Sequence, residues 1–490
     1  MTSLSTVDTS PVRLSYVAAL RRVVPLSLVQ PFTYAQTGTF DPDMLICLAA
    51  SNPDGTFYGV LPDEAACGKA EAQVQGYRVS NISFVSSTKE LPTNLTYLCT
   101  THTDSQLTAP QRDELFTLAQ THLADGGMLC TSYKAYGNPD DTLRFLISEF
   151  APEMNETQAK EFLTEIRDLG SLYFADHSIA REALETAIKQ GTPATFFSAC
   201  GQGTPSPSDT FETMSNLLPR GFAFVGDADV ACNYLEMVAP PSSHAHLQQC
   251  SDHLLYEPIK DFALQRLVRH DLWIKLPVYQ SMQAPDLFNA FTFGITIPQD
   301  QVPSSVKTKT GEISLTSPLY TRLIDVMTTL PMGIGDFLTH PAGAGFDPEE
   351  VLTALNILVA TGIARPMRGR YCPTGQMDTS KPKWANSFNT YLDSTTIDTD
   401  HVAVASTIIG GPLMLSAKDA LVLQAVNKVG ISSSAIELTP TLITLGTKNP
   451  TLAIKIMGTA QPTHDLVKTV ISQTLANNVT LWYAYGLLAA

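Results

Sequence analysis

Positive charge is scarce in this sequence: 31 Lys and Arg stand against 47 Asp and Glu, for a formal net charge of −16. Clustered Lys and Arg drive binding to phosphate backbones, so the balance argues against a nucleic-acid partner. The short basic run from Arg365 to Arg370 reads as solvated loop charge. Long apolar runs are also missing. None reaches the about 18 residues that a membrane-spanning helix needs, which predicts no membrane insertion. The segment Met1 to Pro11 is rich in Ser and Thr and lacks the basic and apolar regions of a secretory signal. Cysteine is sparse, with eight residues and no CxxC pair, too few for a disulfide framework. Cys47, Cys99 and Cys130 lie in apolar runs, where cysteine behaves as a small buried hydrophobe. These absences together predict a reduced, cytoplasmic protein.

What is present is an ordinary globular composition, 44% hydrophobic and 16% charged over 490 residues. A chain of that length exceeds one core and predicts two to four domains. From Pro31 to Tyr133, strand-like and helix-like segments alternate, the pattern of a parallel α/β sheet. The expected strands are Pro31–Gln36, Thr56–Leu61, Ile82–Val85, Leu95–Thr101 and Met128–Tyr133. The expected helices are Pro42–Ser51, capped by Asp41 with proline at its first position, Ala65–Val74 and Pro110–Ala124. Asp125-Gly126-Gly127 is read as the end of that last helix. Ligands of such sheets bind at the carboxyl ends of the strands.

Asn155 to Gln190 is helical and charged, as in an insertion, and the loop Gly201 to Ser208 is rich in Gly, Pro and Ser. Gly221 to Val225 reads as a strand that returns to the sheet, and a helix is expected from Pro258 to about Leu267. Thr316 to Arg370 follows as helix, short helix, helix and strand, a winged-helix-like order with few basic residues, which favours protein contact or a structural role. Val402–Ile409, the turn Gly410-Gly411-Pro412 and a helix from Ser416 to Val429 form a last mixed unit. The expected domains are 1–240, with a helical insert at about 145–195, then 241–375 and 376–490.

Several segments together resemble the bacterial methyltransferases that carry a methyltransferase regulatory domain, among them the outer-membrane-protein lysine methyltransferases. Phe32-Thr33-Tyr34, the run from Ala49 to Val60, and Asp125-Gly126-Gly127-Met128 through Thr131-Ser132-Tyr133 carry the first part of that resemblance. Lys260-Asp261-Phe262, the run from Arg269 to Lys275, and Ala405-Ser406 through Gly410-Gly411-Pro412-Leu413 carry the rest. The resemblance implies a Rossmann-like class I fold, S-adenosylmethionine as cofactor, a protein partner or protein substrate, and a homodimer.

Such a site needs a glycine-rich turn after the first strand, an acid ending the second, and a polar or acidic residue after the third. Here the first is Ala35-Gln36-Thr37-Gly38-Thr39, with one glycine and no acid. Leu61 falls where the acid belongs, and Asp63 lies two positions later. Ser86, Ser87 and Thr88 follow the third strand without an acid, and Lys134 replaces the asparagine of the family's Ser-Tyr-Asn. The relict cofactor site is therefore assigned to Gln36, Gly38, Asp63 and Ser87. His102 and Tyr133 are the candidates for any residual chemistry, His102 as a base or as a satisfied loop histidine. His244, His246, Cys250 and His253 lack a second pair at ligand spacing, so no metal is assigned. Ser198-Ala199-Cys200-Gly201 lacks the spacing of a hydrolase nucleophile. The pattern predicts a regulatory or protein-binding pseudoenzyme; the alternative is an active S-adenosylmethionine-dependent protein-lysine methyltransferase acting on a bacterial surface protein.

Overall fold

The computed structural model describes residues 8–23, 30–101, 107–135, 156–168, 181–182, 185, 210–239, 241–250, 253–264, 266, 268–277, 284–308, 311–368, 382–397, 399–431, 439–440, 443, 449–459, 461 and 463–489. A helix, α1 (Pro11–Leu20), precedes an alternation of β1 (Phe32–Gly38), α2 (Pro42–Ala50), β2 (Gly55–Val60), α3 (Glu64–Tyr77) and β3 (Ile82–Val85). β4 (Leu95–Thr101), α4 (Ala109–His122) and β5 (Leu123–Lys134) continue it. β6 (Phe222–Asp227) and β7 (Val268–Lys275) complete a seven-stranded sheet in the order β3-β2-β1-β4-β5-β7-β6. β1 to β5 run parallel, and β7 lies antiparallel between β5 and β6. This is a Rossmann-like sheet with its order reversing between β1 and β4, the crevice where such sheets take ligands.

Alternation along the strands gives the sheet two apolar faces. Tyr34, Phe57, Tyr97, Cys99, Cys130 and Leu272 face one core, shared with α1 and α2. Ala35, Leu98, Leu129 and Trp273 face the other, under Phe116 of α4 and Met214 and Leu217 of the helix Thr210–Leu217. A strand buried on both sides must be apolar at successive positions, as Leu98-Cys99 and Leu129-Cys130 are.

Three local outcomes differ from the sequence expectations. Asp125-Gly126-Gly127 does not close α4; it lies inside β5, which begins at Leu123. Gly126 sits at φ +79, and a Cβ on Gly127 would lie 2.8 Å from the Ala124 carbonyl oxygen, so these glycines serve an irregular strand start. Pro258 does not open its helix but lies inside it, because the helix His253–Leu264 starts earlier, bringing Glu257 to Arg269. The sheet also extends past residue 240, since β7 inserts between β5 and β6.

Beyond the sheet, the helices Pro318–Met327, Ile334–Thr339 and Pro348–Ala360 follow one another as the sequence suggests. The strand Ala364–Met367 after them pairs antiparallel with β8 (Thr292–Ile295), which precedes them. Tyr16 of α1 locks this part to the sheet, edge-on to Phe288, Phe291 and Phe293, with its hydroxyl donating to Asn356 Oδ1 at 2.5 Å. The last unit pairs His401–Ser406 with Gly411–Ser416 and packs them on the helices Ala417–Val429 and His464–Ala484. It clasps the end of α2: Asn52 donates to the Gly410 carbonyl at 2.9 Å, and Asn386 to that of Ala50 at 2.7 Å. The Ser406 N–H donates to Ser51 Oγ at 3.1 Å. No helix among the described residues is long and apolar enough to cross a membrane.

Candidate functional site

The carboxyl edge of β1, β2 and β3 is where the four residues assigned to a cofactor site from sequence fall, and each is engaged locally. β1 ends at Gly38, whose φ of +93 turns the chain out of the sheet. Only Thr39, Phe40 and Asp41 separate it from α2, and Phe40 packs against the core. Asp41 accepts from the Asp43 N–H at 3.0 Å, while Pro42 has no N–H to offer. The start of α2 therefore presents an anion with two donors fewer than an open helix end. Burial and the neighbouring Asp41 raise the Asp43 carboxyl above its usual range. Gln36 lies one turn of the pleat below Gly38 and is buried between Gly59 of β2 and Cys99 of β4.

At β2 the backbone pairing reaches one residue past the strand's end, to the position expected to carry an acid. The Leu61 N–H donates to the Val85 carbonyl at 2.9 Å, and its side chain, 8% exposed, joins the main core. Asp63 is exposed and caps α3, its Oδ1 accepting from the Ala66 N–H at 2.8 Å. Ser87 does the same for the turn Thr88–Glu90, accepting from the Lys89 N–H at 3.3 Å. The structure thus brings Gln36, Gly38, Asp63 and Ser87 to one edge of the sheet. A ribose needs an acceptor at the tip of β2, and the side chain there is a buried leucine; the two polar side chains nearby already satisfy backbone amides. Leu61 therefore offers a ribose no acceptor at the tip of β2. His102 lies outside the described residues, as do Ser198-Ala199-Cys200-Gly201 and the side chains of Lys134, His246 and His253. His244 Nε2 contacts the Ala239 carbonyl at 2.8 Å, and the described residues contain no group of three or more potential metal ligands.

The other end of the same edge is built from charge. Thr37, Thr100, Thr131, Asp271 and Asp227 follow one another in register from β1 through β4, β5 and β7 to β6. Thr100 Oγ1 donates to Thr131 Oγ1 at 3.0 Å. Beside this row lies Arg269, fully buried, whose guanidinium meets three carboxylates: Glu257 at 2.8 Å, Asp261 at 2.8 Å and Asp271 at 2.9 Å. Lys260 bonds Glu257 at 2.7 Å and Arg266 bonds Asp227 at 2.5 Å. Thr210 donates to Asp261 at 2.8 Å. Tyr133, 2% exposed, is drawn into this cluster, and its hydroxyl donates to Asp271. Burial opposes ionisation of Glu257, but Arg269 and Lys260 outweigh it and hold the carboxyl down at about 2. Burial raises Asp271 instead, to about 6, with Asp227 adding to it against the pull of Arg269. Burial and the adjacent Asp271 push the Tyr133 hydroxyl well up.

None of this cluster was identified from sequence as a charged core. The available signal was the density of ionisable residues in two runs that otherwise read as apolar helix and strand, Glu257 to Asp261 and Arg266 to Asp271.

The family model described as the predicted methyltransferase regulatory domain matches residues 205–275, the segment that holds β6, β7 and all of the cluster but Tyr133. PKMT2 from Rickettsia typhi in complex with AdoHcy is similar in structure, with a TM-score of 0.67 at 14% sequence identity over 98% of this chain and 98% of that one. The structure of PKMT2 from Rickettsia typhi gives 0.66 at 14% identity, over 98% of this chain and 99% of that one. No curated protein matches the sequence.

Proposed function

Since this chain has the class I methyltransferase fold and carries the methyltransferase regulatory segment, we propose that it is a pseudoenzyme of that class, with binding of S-adenosylmethionine lost and a regulatory or protein-binding role kept. The observation that carries this reading is Leu61, buried at the tip of β2 where a ribose-binding acid is needed. A lost hydrogen bond to a cofactor costs roughly 1–3 kcal/mol, so losing two or three weakens binding by several powers of ten. The damage falls on the strand tips and spares the apolar positions beneath them, as expected when a scaffold outlives its chemistry. A net charge of −16 suits a basic protein partner, and pairing of two copies belongs to the same proposal. Isothermal titration with S-adenosylmethionine and with AdoHcy is expected to give no micromolar binding; a micromolar Kd for either overturns the reading.

One observation favours a second reading, an active S-adenosylmethionine-dependent protein-lysine methyltransferase. The likeness to PKMT2 in complex with AdoHcy runs over 98% of both chains. Transfer of labelled methyl groups to a protein in a lysate of the source organism would support it, and no transfer under saturating cofactor would remove it.

A further inference from the structure

The charged cluster beside β5, β6 and β7 does not balance. Its carboxylates are Asp227, Glu257, Asp261 and Asp271, all buried, and its cations are Lys260, Arg266 and Arg269. Four negative groups therefore face three positive ones in a closed interior, where an uncompensated charge is expensive. Every cation is already engaged. Arg269 is shared among three carboxylates, Arg266 holds Asp227, and Lys260 holds Glu257 and reaches the Cys232 carbonyl at 3.4 Å.

Asp271 shares Arg269 with two other carboxylates and is faced by a fourth. It meets Arg269 only through Nε, while the two terminal nitrogens serve Glu257 and Asp261. Asp227 stands directly across from it in the β6–β7 register, a like charge in the facing position. From β5, the neutral hydroxyl of Tyr133 bonds it. Asp229 and Cys232, on the turn after β6, face Asp227 and Arg266 and add no positive charge. His270 points to the opposite face of the sheet and bonds Ser132 Oγ at 2.7 Å.

We propose that this cluster is a buried proton-binding site, in which Asp271 takes up one proton from solvent under mildly acidic conditions and rearranges the paired ends of β5 and β7. The uptake forms one O–H bond on the carboxyl and changes no other covalent bond. It leaves two hydroxyls, that of Asp271 and that of Tyr133, at a contact that needs one donor, so one of them must turn to another acceptor. Tyr133 lies two residues beyond Thr131, the threonine that links this end of the edge to Thr100 and Thr37. The site thus ties the protonation of the regulatory segment to the strand tips of the candidate cofactor edge. It stands whether or not S-adenosylmethionine binds. The elevation of Asp271 to about 6 agrees with this geometry.

The test is urea unfolding of the full chain between pH 4.5 and 7.5, native against Asp271→Asn, which keeps the shape and charge of the protonated carboxyl. Folded Asp271 titrates at about 6 and unfolded Asp271 at the ordinary 3.8, so the native chain holds an extra proton only while folded in that window. The ratio of native to variant folding constants is expected to fall about tenfold per pH unit from pH 4.5 to 6 and then level off. A flat ratio overturns the proposal. Hydrogen exchange in β5 and β7 gives a second readout that does not depend on that variant's folding. Its pH midpoint is expected to rise in Tyr133→Phe, which removes a donor to the ionised carboxyl, and to fall in Asp227→Asn, which removes the facing like charge. Unchanged midpoints in both overturn the proposal as surely.

Discussion

At the tips of β1, β2 and β3 the side chains of Asp41, Asp63 and Ser87 cap neighbouring helices and turns, and Leu61 joins the core. At β5, β7 and β6 the same edge of the same sheet holds Arg269 and six other charged side chains out of water. The first arrangement can be lost residue by residue at modest cost, because each cap serves only its own helix. The second cannot, since three carboxylates share Arg269, and removing that cation leaves buried carboxylates without a counter-charge in a medium of low dielectric. Sites that are locally satisfied drift once a ligand no longer constrains them, whereas an interlocked cluster persists as part of the fold. On the proposed reading, that contrast is how strand tips could lose a cofactor while residues 205–275 keep their charged core.

The largest effect that can break this comparison belongs to Arg269. Arg269→Met keeps much of the side-chain volume and removes the charge shared by Glu257, Asp261 and Asp271. Breaking a buried pair costs about 3–5 kcal/mol, and urea denaturation at pH 7 is expected to show a loss of at least that size. A loss under about 1 kcal/mol would mean that the cluster is no more interlocked than the caps.

Next in size is Leu61, which tests the other side. Leu61→Ala and Leu61→Asp both remove core packing, at about 2–5 kcal/mol. Only the aspartate places an acceptor at the tip of β2. Calorimetry is expected to show tighter S-adenosylmethionine binding in Leu61→Asp than in Leu61→Ala, by about ten- to a hundredfold, the worth of a hydrogen bond to a charged group. Equal affinities would show that β2 is not what bars the cofactor.

A smaller effect, and one of opposite sign to that of Asp271, comes from Glu257. Its folded carboxyl is held down at about 2 against an ordinary 4.5, so its contribution is present above about 4.5 and is lost as pH falls toward 2. Asp271 works the other way, contributing below its ordinary 3.8 and losing that contribution as pH rises through about 6. Acid unfolding of the native chain below pH 4.5 is expected to steepen by up to one proton relative to Glu257→Gln, about 1.4 kcal/mol per pH unit. Superimposable acid limbs would show that Glu257 is not tied to its cations.

The parallel strands and their helices were legible because apolar runs and capping residues sit at local spacing: Asp41-Pro42 opens α2 in the structure as its residues foretell. Leu61 was legible for the same reason, since a side chain at the end of a strand needs no partner to be read. The charged cluster was not, because Arg269 meets Glu257 and Asp261 across a helix-to-strand connection and Tyr133 meets Asp271 across 138 residues. Pairing at that separation leaves no periodicity along the chain. Asp63 was ambiguous for a related reason: sequence places a carboxylate near the ribose position, and only the backbone shows that it points at Ala66.

Asp63 also gives the smallest and sharpest test. Its Oδ1 accepts from the Ala66 N–H at the start of α3, in exposed surroundings. Asp63→Ala removes one helix cap and is expected to cost about 1 kcal/mol in urea denaturation, with Asp63→Ser recovering most of it because a hydroxyl can accept the same N–H. A residue that bound ribose hydroxyls would behave differently: alanine and serine would both lower S-adenosylmethionine affinity, whatever they did to stability. The expected outcome is a change in stability with no change in cofactor titration. Were the titration to weaken in both variants, Asp63 would belong to a working site reached by movement of the β2–α3 connection, and the two ends of the edge would differ in geometry alone.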